Sequence, residues 1–280
     1  MLDRVGKGQV MAGLRDVVYG AAVGDALGVP YEFMARGTFE CTGMASGGAH
    51  KQPTGTFSDD TSMVLATCDS IRKLGQIDCD DMRSRFREWA YEGKYTPDGV
   101  MFDIGNATST ALAEGRGCMG DRSNGNGSLM RIAPLALTDA TDDEVRAVSA
   151  ITHAHPISTE SCVAYVHVLR RIIGGASVTE ATSGVMVDAC NYSFDPGISV
   201  DEVKSGGYVV DTLDAALWCL VNTGSYADCV LTAVNLGSDT DTTACVAGAL
   251  AGAVYGYDAI PAEWLEALRG KDVIEKCLFS

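Results

Sequence analysis

The residues best suited to chemistry sit at two helix starts. "TFSDDTSMVLA" spans Thr56–Ala66 and "NLGSDTDTTACVAG" spans Asn235–Gly248. In each, a glycine-containing segment delivers Ser, Asp and Thr onto the first turn of an apolar helix. Helix N-termini favour such side chains, because a cap accepts an orphan N–H and a first-turn acid meets the positive end of the helix dipole. Capping accounts for one or two oxygen side chains per helix. It leaves a surplus among Ser58, Asp59, Asp60 and Thr61, and another among Ser238, Asp239, Thr240, Asp241 and Thr242. Four carboxylates with hydroxyls, and no His or Cys among them, form a hard donor set suited to Mg²⁺, Mn²⁺ or Ca²⁺. Neither cluster can enclose a cation alone, whereas the two face to face could hold a two-metal site.

Three further segments place polar groups in apolar settings. "GAAVGDALGVPYEF" (Gly20–Phe33) carries Asp25 along a small-residue helix and leaves Glu32 between Tyr31 and Phe33. Flanking aromatics desolvate a carboxylate and raise its pKa, which suits acid–base work; the plain alternative is a solvent-facing Glu after a helix. Asp25 reads equally well as a buried partner of another helix end. "FDIGNATSTAL" (Phe102–Leu112) puts Asp103, Gly105 and Asn106 at a helix entrance. "NGNGSLMRIAPLAL" (Asn124–Leu137) and "THAHP" (Thr152–Pro156) add amides, Arg131, His153 and His155. His155, just before Pro156, reads as the more structural of the two histidines. Asn and Gly tolerate positive φ, so Asn124–Gly127 is expected either to form an anion-cradling backbone nest or to be an ordinary turn.

The elements that must position these groups are helices. Apolar residues recur at helical spacing over Gln9–Gly28, Thr61–Leu74, Asp80–Tyr91, Ala107–Gly115, Asp142–His153, Thr159–Ile173, Val178–Cys190, Thr212–Thr223, Tyr226–Leu236 and Thr240–Tyr255. Two short helices follow at Ala262–Arg269 and Asp272–Cys277. Tyr208–Val210 is the sole strand candidate. The expected class is all-α, a compact orthogonal bundle. Three Gly-rich connectors, Thr42–Gly55, Gly115–Gly127 and Tyr192–Gly207, are long enough to suggest function. The 280 residues, 46% of them hydrophobic, predict one domain over residues 1–280. A net charge of −16 argues against nucleic acid and anionic membranes as partners. The longest apolar run, Ala244–Tyr257, is too short to span a bilayer, which needs about 20 residues. Ten cysteines without a C-x-x-C pair, and Met1–Gly13 without an apolar signal core, predict reduced thiols in a cytoplasmic protein.

Taken in order, G-D-A-L-G…E-F, S-D-D-T, F-D-I-G, N-G-S-L-M-R-x-A-P, T-H-A and G-x-D-T-D-T resemble the ADP-ribosylglycohydrolase family, in its dinitrogenase reductase-activating glycohydrolase and ADP-ribosylarginine hydrolase branch. The resemblance runs from about Val17 to Gly256. It implies an all-α fold, two divalent cations (Mg²⁺ or Mn²⁺) and hydrolytic release of ADP-ribose from a modified protein side chain. On this resemblance the metal positions are Ser58, Asp59, Asp60, Asp239, Asp241 and Thr242, with Ser58 standing where the family commonly has Thr. Ser238 and Thr240 are left as expected caps. Glu32 and Asp103 fall on the catalytic positions. Gly105, Ser123, Asn124, Asn126, Gly127 and His153 fall where the family holds the diphosphate, distal ribose or adenine. The expected bond is the N-glycosidic linkage of ADP-ribosylarginine, in a chain expected to be monomeric. Another ADP-ribosyl linkage (serine, O-acetyl-ADP-ribose or nucleic acid) and a non-catalytic ADP-ribose reader are the alternatives.

Overall fold

The computed structural model describes residues 12–280. Twelve α-helices lie among them: α1 (Leu14–Gly28), α2 (Asp59–Leu74), α3 (Cys79–Glu92), α4 (Asn106–Glu114), α5 (Asp142–Ser149), α6 (Pro156–Ile173), α7 (Val178–Thr182), α8 (Val209–Val221), α9 (Tyr226–Asn235), α10 (Thr240–Tyr255), α11 (Ala262–Ala267) and α12 (Lys271–Cys277). The expected all-α class is what the chain adopts, around one apolar core to which all the longer helices contribute. All ten cysteines are free thiols.

The centre of the fold is the pair α1–α10, and its reason is side-chain size. Both helices are buried over almost their whole length, and Gly20, Gly24 and Gly28 face Gly248–Gly252, Ala244 and Asp241, so the two run antiparallel. The backbones touch. A Cβ added at Gly24 would lie 2.0 Å from the Ala244 carbonyl oxygen, and one at Gly28 would lie 2.3 Å from Asp241 Cα. Thr240 Oγ1 donates to Gly28 O at 2.8 Å, fixing the start of α10 against the end of α1. That end is set by Pro30, where the chain tightens into a single 3₁₀ turn over Val29–Tyr31 and delivers Glu32.

Several element boundaries differ from the periodicity. The expected helix Val178–Cys190 stops at Thr182, because Gly184 takes φ +68° and the chain reverses into a two-strand hairpin. Its strands β1 (Met186–Val187) and β2 (Tyr192–Ser193) pair antiparallel, Met186 opposite Ser193. Tyr208–Val210 is no strand: Tyr208 precedes α8 and Val209 and Val210 form its first turn. The helix expected over Asp142–His153 ends at Ser149, and His155 Nδ1 accepts from Ile157 N, so the structural role expected of His155 is a cap on α6. The expected residues 9–11 of the first helix, and most of the Met1–Gly13 segment, lie outside the described residues. None of the described helices is long and apolar enough to cross a membrane.

Candidate active site

Two buried helix starts form the floor of the site. Ser58 caps α2, its Oγ accepting from Asp60 N at 3.2 Å and donating to Asp60 Oδ2 at 3.1 Å. Behind it, Asp25 accepts from Ser58 N and Thr61 N at 3.0 Å and from Thr61 Oγ1 at 2.6 Å. Asp25 is therefore the strut that ties α1 to α2, as its structural reading expected. Across the cleft, Thr242 Oγ1 reaches Asp60 Oδ2 at 3.3 Å, which brings the α10 cluster onto the α2 cluster. Ser238 and Thr240 do not cap α10. Asp239 occupies the cap position, Ser238 takes φ +67°, and Thr240 spends its hydroxyl on Gly28. The strained Ser238 faces an equally strained Phe33 at φ +69°. Phe33 N donates to Ser238 O at 2.7 Å and Ser238 N to Met34 O at 2.8 Å, so the backbone holds the Glu32 segment against the Asp239 segment.

Glu32 joins the two sides of the cleft. Its carboxylate lies within 4.8 Å of ligand atoms of Asp239 and Asp241, and separately within 4.8 Å of those of His50 and Asp103. His50 Nε2 is hydrogen-bonded to Glu32 Oε2, and its ring packs between Phe33 and Phe102 at centroid distances of 5.8 and 5.2 Å. His50 is not among the residues expected from the sequence. Its one signal was its place in the Gly-rich connector Thr42–Gly55, already marked as functional by length.

The electrostatics are those of acids crowded out of water. Burial pushes the Glu32 carboxyl up to about 8, with the Asp103, Asp239 and Asp25 charges adding to it. Asp59, Asp60 and Asp241 are raised well above the carboxylate range, again by burial first and then by neighbouring charges, led by Asp103 for Asp59, Asp25 for Asp60 and Glu32 for Asp241. Asp25 is pushed up to about 6 by burial, against the donors from Thr61 and Ser58. Asp60 Oδ1 is buried with no hydrogen-bond partner. A fully buried carboxylate oxygen without a donor is costly, and a divalent cation is the partner that suits it. The hard oxygen set Ser58, Asp59, Asp60, Asp239, Asp241 and Thr242 fits such an ion.

The expected substrate loop borders this floor, with one change of role. Asn126 Nδ2 donates to Asp239 Oδ2 and to Thr212 Oγ1, both at 2.9 Å, so its amide orients an acid of the cluster. Asn124 Oδ1 accepts from Ser158 Oγ at 3.2 Å and its Nδ2 donates to Asp121 O. No residue of Asn124–Gly127 takes positive φ, so of the two alternatives the ordinary turn forms and the nest does not. The segment tightens into a 3₁₀ turn at Asn126–Ser128. Gly127 serves close approach instead: a Cβ there would lie 2.9 Å from His153 Cε1 and 3.1 Å from Thr108 Oγ1. Gly105 is at the N-cap of α4, two residues beyond Asp103, and Ser123 lies half-buried at the loop entrance. His153 is buried behind the loop, and burial with the nearby Arg131 charge pushes its pKa down to about 3.

A sequence profile described as ADP-ribosylglycohydrolase matches residues 10–279. The chain belongs to the ADP-ribosylglycohydrolase family. It is an enzyme of that family, and its likeness to characterised members extends over most of its length. It is 34% identical over 275 residues to the ADP-ribosylarginine hydrolase Tri1 of Serratia proteamaculans, covering 91% of this chain and 74% of the relative. It is 32% identical over 268 residues to the ADP-ribosyl-[dinitrogen reductase] glycohydrolase of Rhodospirillum rubrum, covering 89% and 87%. Among solved structures, an ADP-ribosylglycohydrolase-related protein complex superposes with a TM-score of 0.78 at 31% identity, covering 94% of each chain.

Proposed function

We propose that the chain is a divalent-metal-dependent hydrolase that cleaves the N-glycosidic bond of ADP-ribosylarginine in modified proteins. The observation that carries this reading is Glu32, whose carboxylate sits between the Asp239–Asp241 pair and the His50–Asp103 pair at the mouth of a buried acid cluster. The arginine linkage draws on the names of the relatives, ADP-ribosylarginine hydrolase in Serratia proteamaculans and in Pseudomonas putida. Ser58, Asp59, Asp60, Asp239, Asp241 and Thr242 would hold two cations, Mg²⁺ or Mn²⁺. When bound, such ions supply positive charge that offsets the carboxylates and favours oxygen ligands of the ribose and of water.

The chain's own residues would handle the protons. Hydrolysis forms a bond from water oxygen to the anomeric carbon and breaks the carbon–nitrogen bond, with the electron pair going to the guanidine nitrogen. One proton must then pass from water to that nitrogen. Glu32, with His50 hydrogen-bonded to it, would accept and return it together with the nearby Asp103. The loop at Ser123–Gly127, with Gly105 and His153, would seat the diphosphate and distal ribose or adenine.

The test is release of ADP-ribose from arginine-, serine- and cysteine-modified peptides, each with Mg²⁺, with Mn²⁺ and with EDTA. Release from the arginine peptide alone, lost in EDTA, is expected. Turnover surviving exhaustive chelation would sink the metal requirement, and faster release from serine would move the substrate to that linkage.

A further inference from the structure

Arg131 is the chief polar anomaly outside the acid cluster. It is wholly buried, and its charge persists because burial pushes its pKa down only to about 10. Its hydrogen bonds both come from Nη2, to Val148 O at 3.1 Å and to Thr152 Oγ1 at 2.9 Å. Nε and Nη1 have no partner, and among the described residues no carboxylate pairs with it. The guanidinium stacks 4.4 Å above the Phe86 ring centroid. Stacking and two acceptors do not balance the desolvation of a guanidinium, and an apolar side chain of similar volume would serve the core at least as well. The charge therefore asks for a role.

Its neighbours supply one. Thr152 Oγ1 accepts from Arg131 and lies 2.9 Å from His153 Nδ1. A hydroxyl has one proton to give, and here Nδ1 is the acceptor in reach. The reverse arrangement would aim two donors at Oγ1 and leave the hydroxyl proton buried without an acceptor. Nδ1 thus accepts, and a neutral imidazole in that state carries its proton on Nε2. The backbone that carries the ring is fixed as well: His153 N donates to Ser149 O at 3.0 Å, and His153 O accepts from Ser149 Oγ at 3.2 Å. The edge left over faces the loop: a Cβ on Gly125 would lie 3.5 Å from Nε2, and one on Gly127 would lie 3.5 Å from it.

We propose that Arg131 and Thr152 are positioning residues that lock His153 as its Nε2–H tautomer, so that the ring offers a fixed donor to an acceptor oxygen of the ADP-ribosyl group. The proposal rests on the reading of Ser123–Gly127 as part of the ADP-ribose site. The buried guanidinium acts through the threonine hydroxyl and touches no substrate.

Nitrogen-15 NMR of the imidazole rings reads the tautomer directly, and with four histidines in the chain a His153→Gln variant assigns the signal. Titration with free ADP-ribose gives the affinity. The wild type is expected to show Nε2–H. Thr152→Val should mix or reverse the tautomers and weaken ADP-ribose binding roughly tenfold, while Thr152→Ser keeps both. Arg131→Met should match Thr152→Val in both readouts, with a melting temperature close to or above that of the wild type. A wild-type ring protonated on Nδ1, or an unchanged ADP-ribose affinity in Thr152→Val, overturns the proposal. If Arg131→Met does not fold, the Thr152 pair decides alone. Failure of the wild type to bind ADP-ribose would instead overturn the reading of the loop, with the tautomer measurement still standing.

Discussion

Glu32 shows how one side chain acquires a role from what surrounds it. Pro30 ends α1, the strained backbone pair Phe33–Ser238 presses its segment onto the start of α10, and His50 reaches it from a connector 18 residues away. On the proposed mechanism Glu32→Gln keeps the size and hydrogen-bonding reach of the side chain and loses its proton chemistry. Turnover is expected to fall by about a hundredfold or more, with the affinity for free ADP-ribose largely retained. Wild-type turnover in that variant would remove Glu32 from the chemistry. At this scale the acids were legible, since Asp59, Asp60, Asp239 and Asp241 exceed what two helix caps can use. His50 was not, because a lone histidine among glycines gains meaning only from a tertiary contact. Ser238 and Thr240 misled for a related reason. Composition marks both as caps, but Ser238 lies in the strained loop before the cap position, which Asp239 occupies, and the close approach of α1 draws the Thr240 hydroxyl to the Gly28 carbonyl.

Among the elements, α1 and α10 matter most, and their glycines are there for proximity. Gly24→Ala would drive a methyl to 2.0 Å from the Ala244 carbonyl oxygen, a backbone atom that cannot rotate aside. Overpacking of this kind costs about 3 kcal/mol. A melting curve checks it, and the variant should also show a smaller thermal shift with Mg²⁺ or Mn²⁺, because the start of α10 carries half of the acid cluster. An unchanged melting temperature would mean that the two helices part more readily than their contact suggests. The long helices were readable from apolar spacing. Short elements were not. The pattern over Val178–Cys190 is compatible with a helix, and only the left-handed turn at Gly184 and the pairing of Met186 with Ser193 divide it into α7 and a hairpin.

The whole molecule carries a net charge of −16 and keeps its most crowded acids inside. Free Asp and Glu titrate near pH 4, whereas burial in the fold holds Asp25 up at about 6 and Glu32 at about 8. The folded chain therefore retains protons that the unfolded chain has released. Their contribution to stability is complete below about pH 4 and is lost as pH rises through about 6 to 8. In EDTA the melting temperature is expected to decline from about pH 5 to about pH 8. Added Mg²⁺ or Mn²⁺ should raise it, and by more at the higher pH, since a cation takes the place of those protons. A flat profile in EDTA, or a cation gain that shrinks with pH, would contradict this account. The contact between α1 and α10 carries one more consequence, and it concerns time. Gly28 and Thr240 are bonded across 212 positions of chain. During synthesis α1 leaves the ribosome well before α10 and must wait, its glycine face uncovered, until the chain between them has been translated. Such distant partners close slowly and leave apolar surface open to chaperones in the meantime. Catalytic competence would then arrive in one late step, when α10 docks, rather than growing as the chain lengthens.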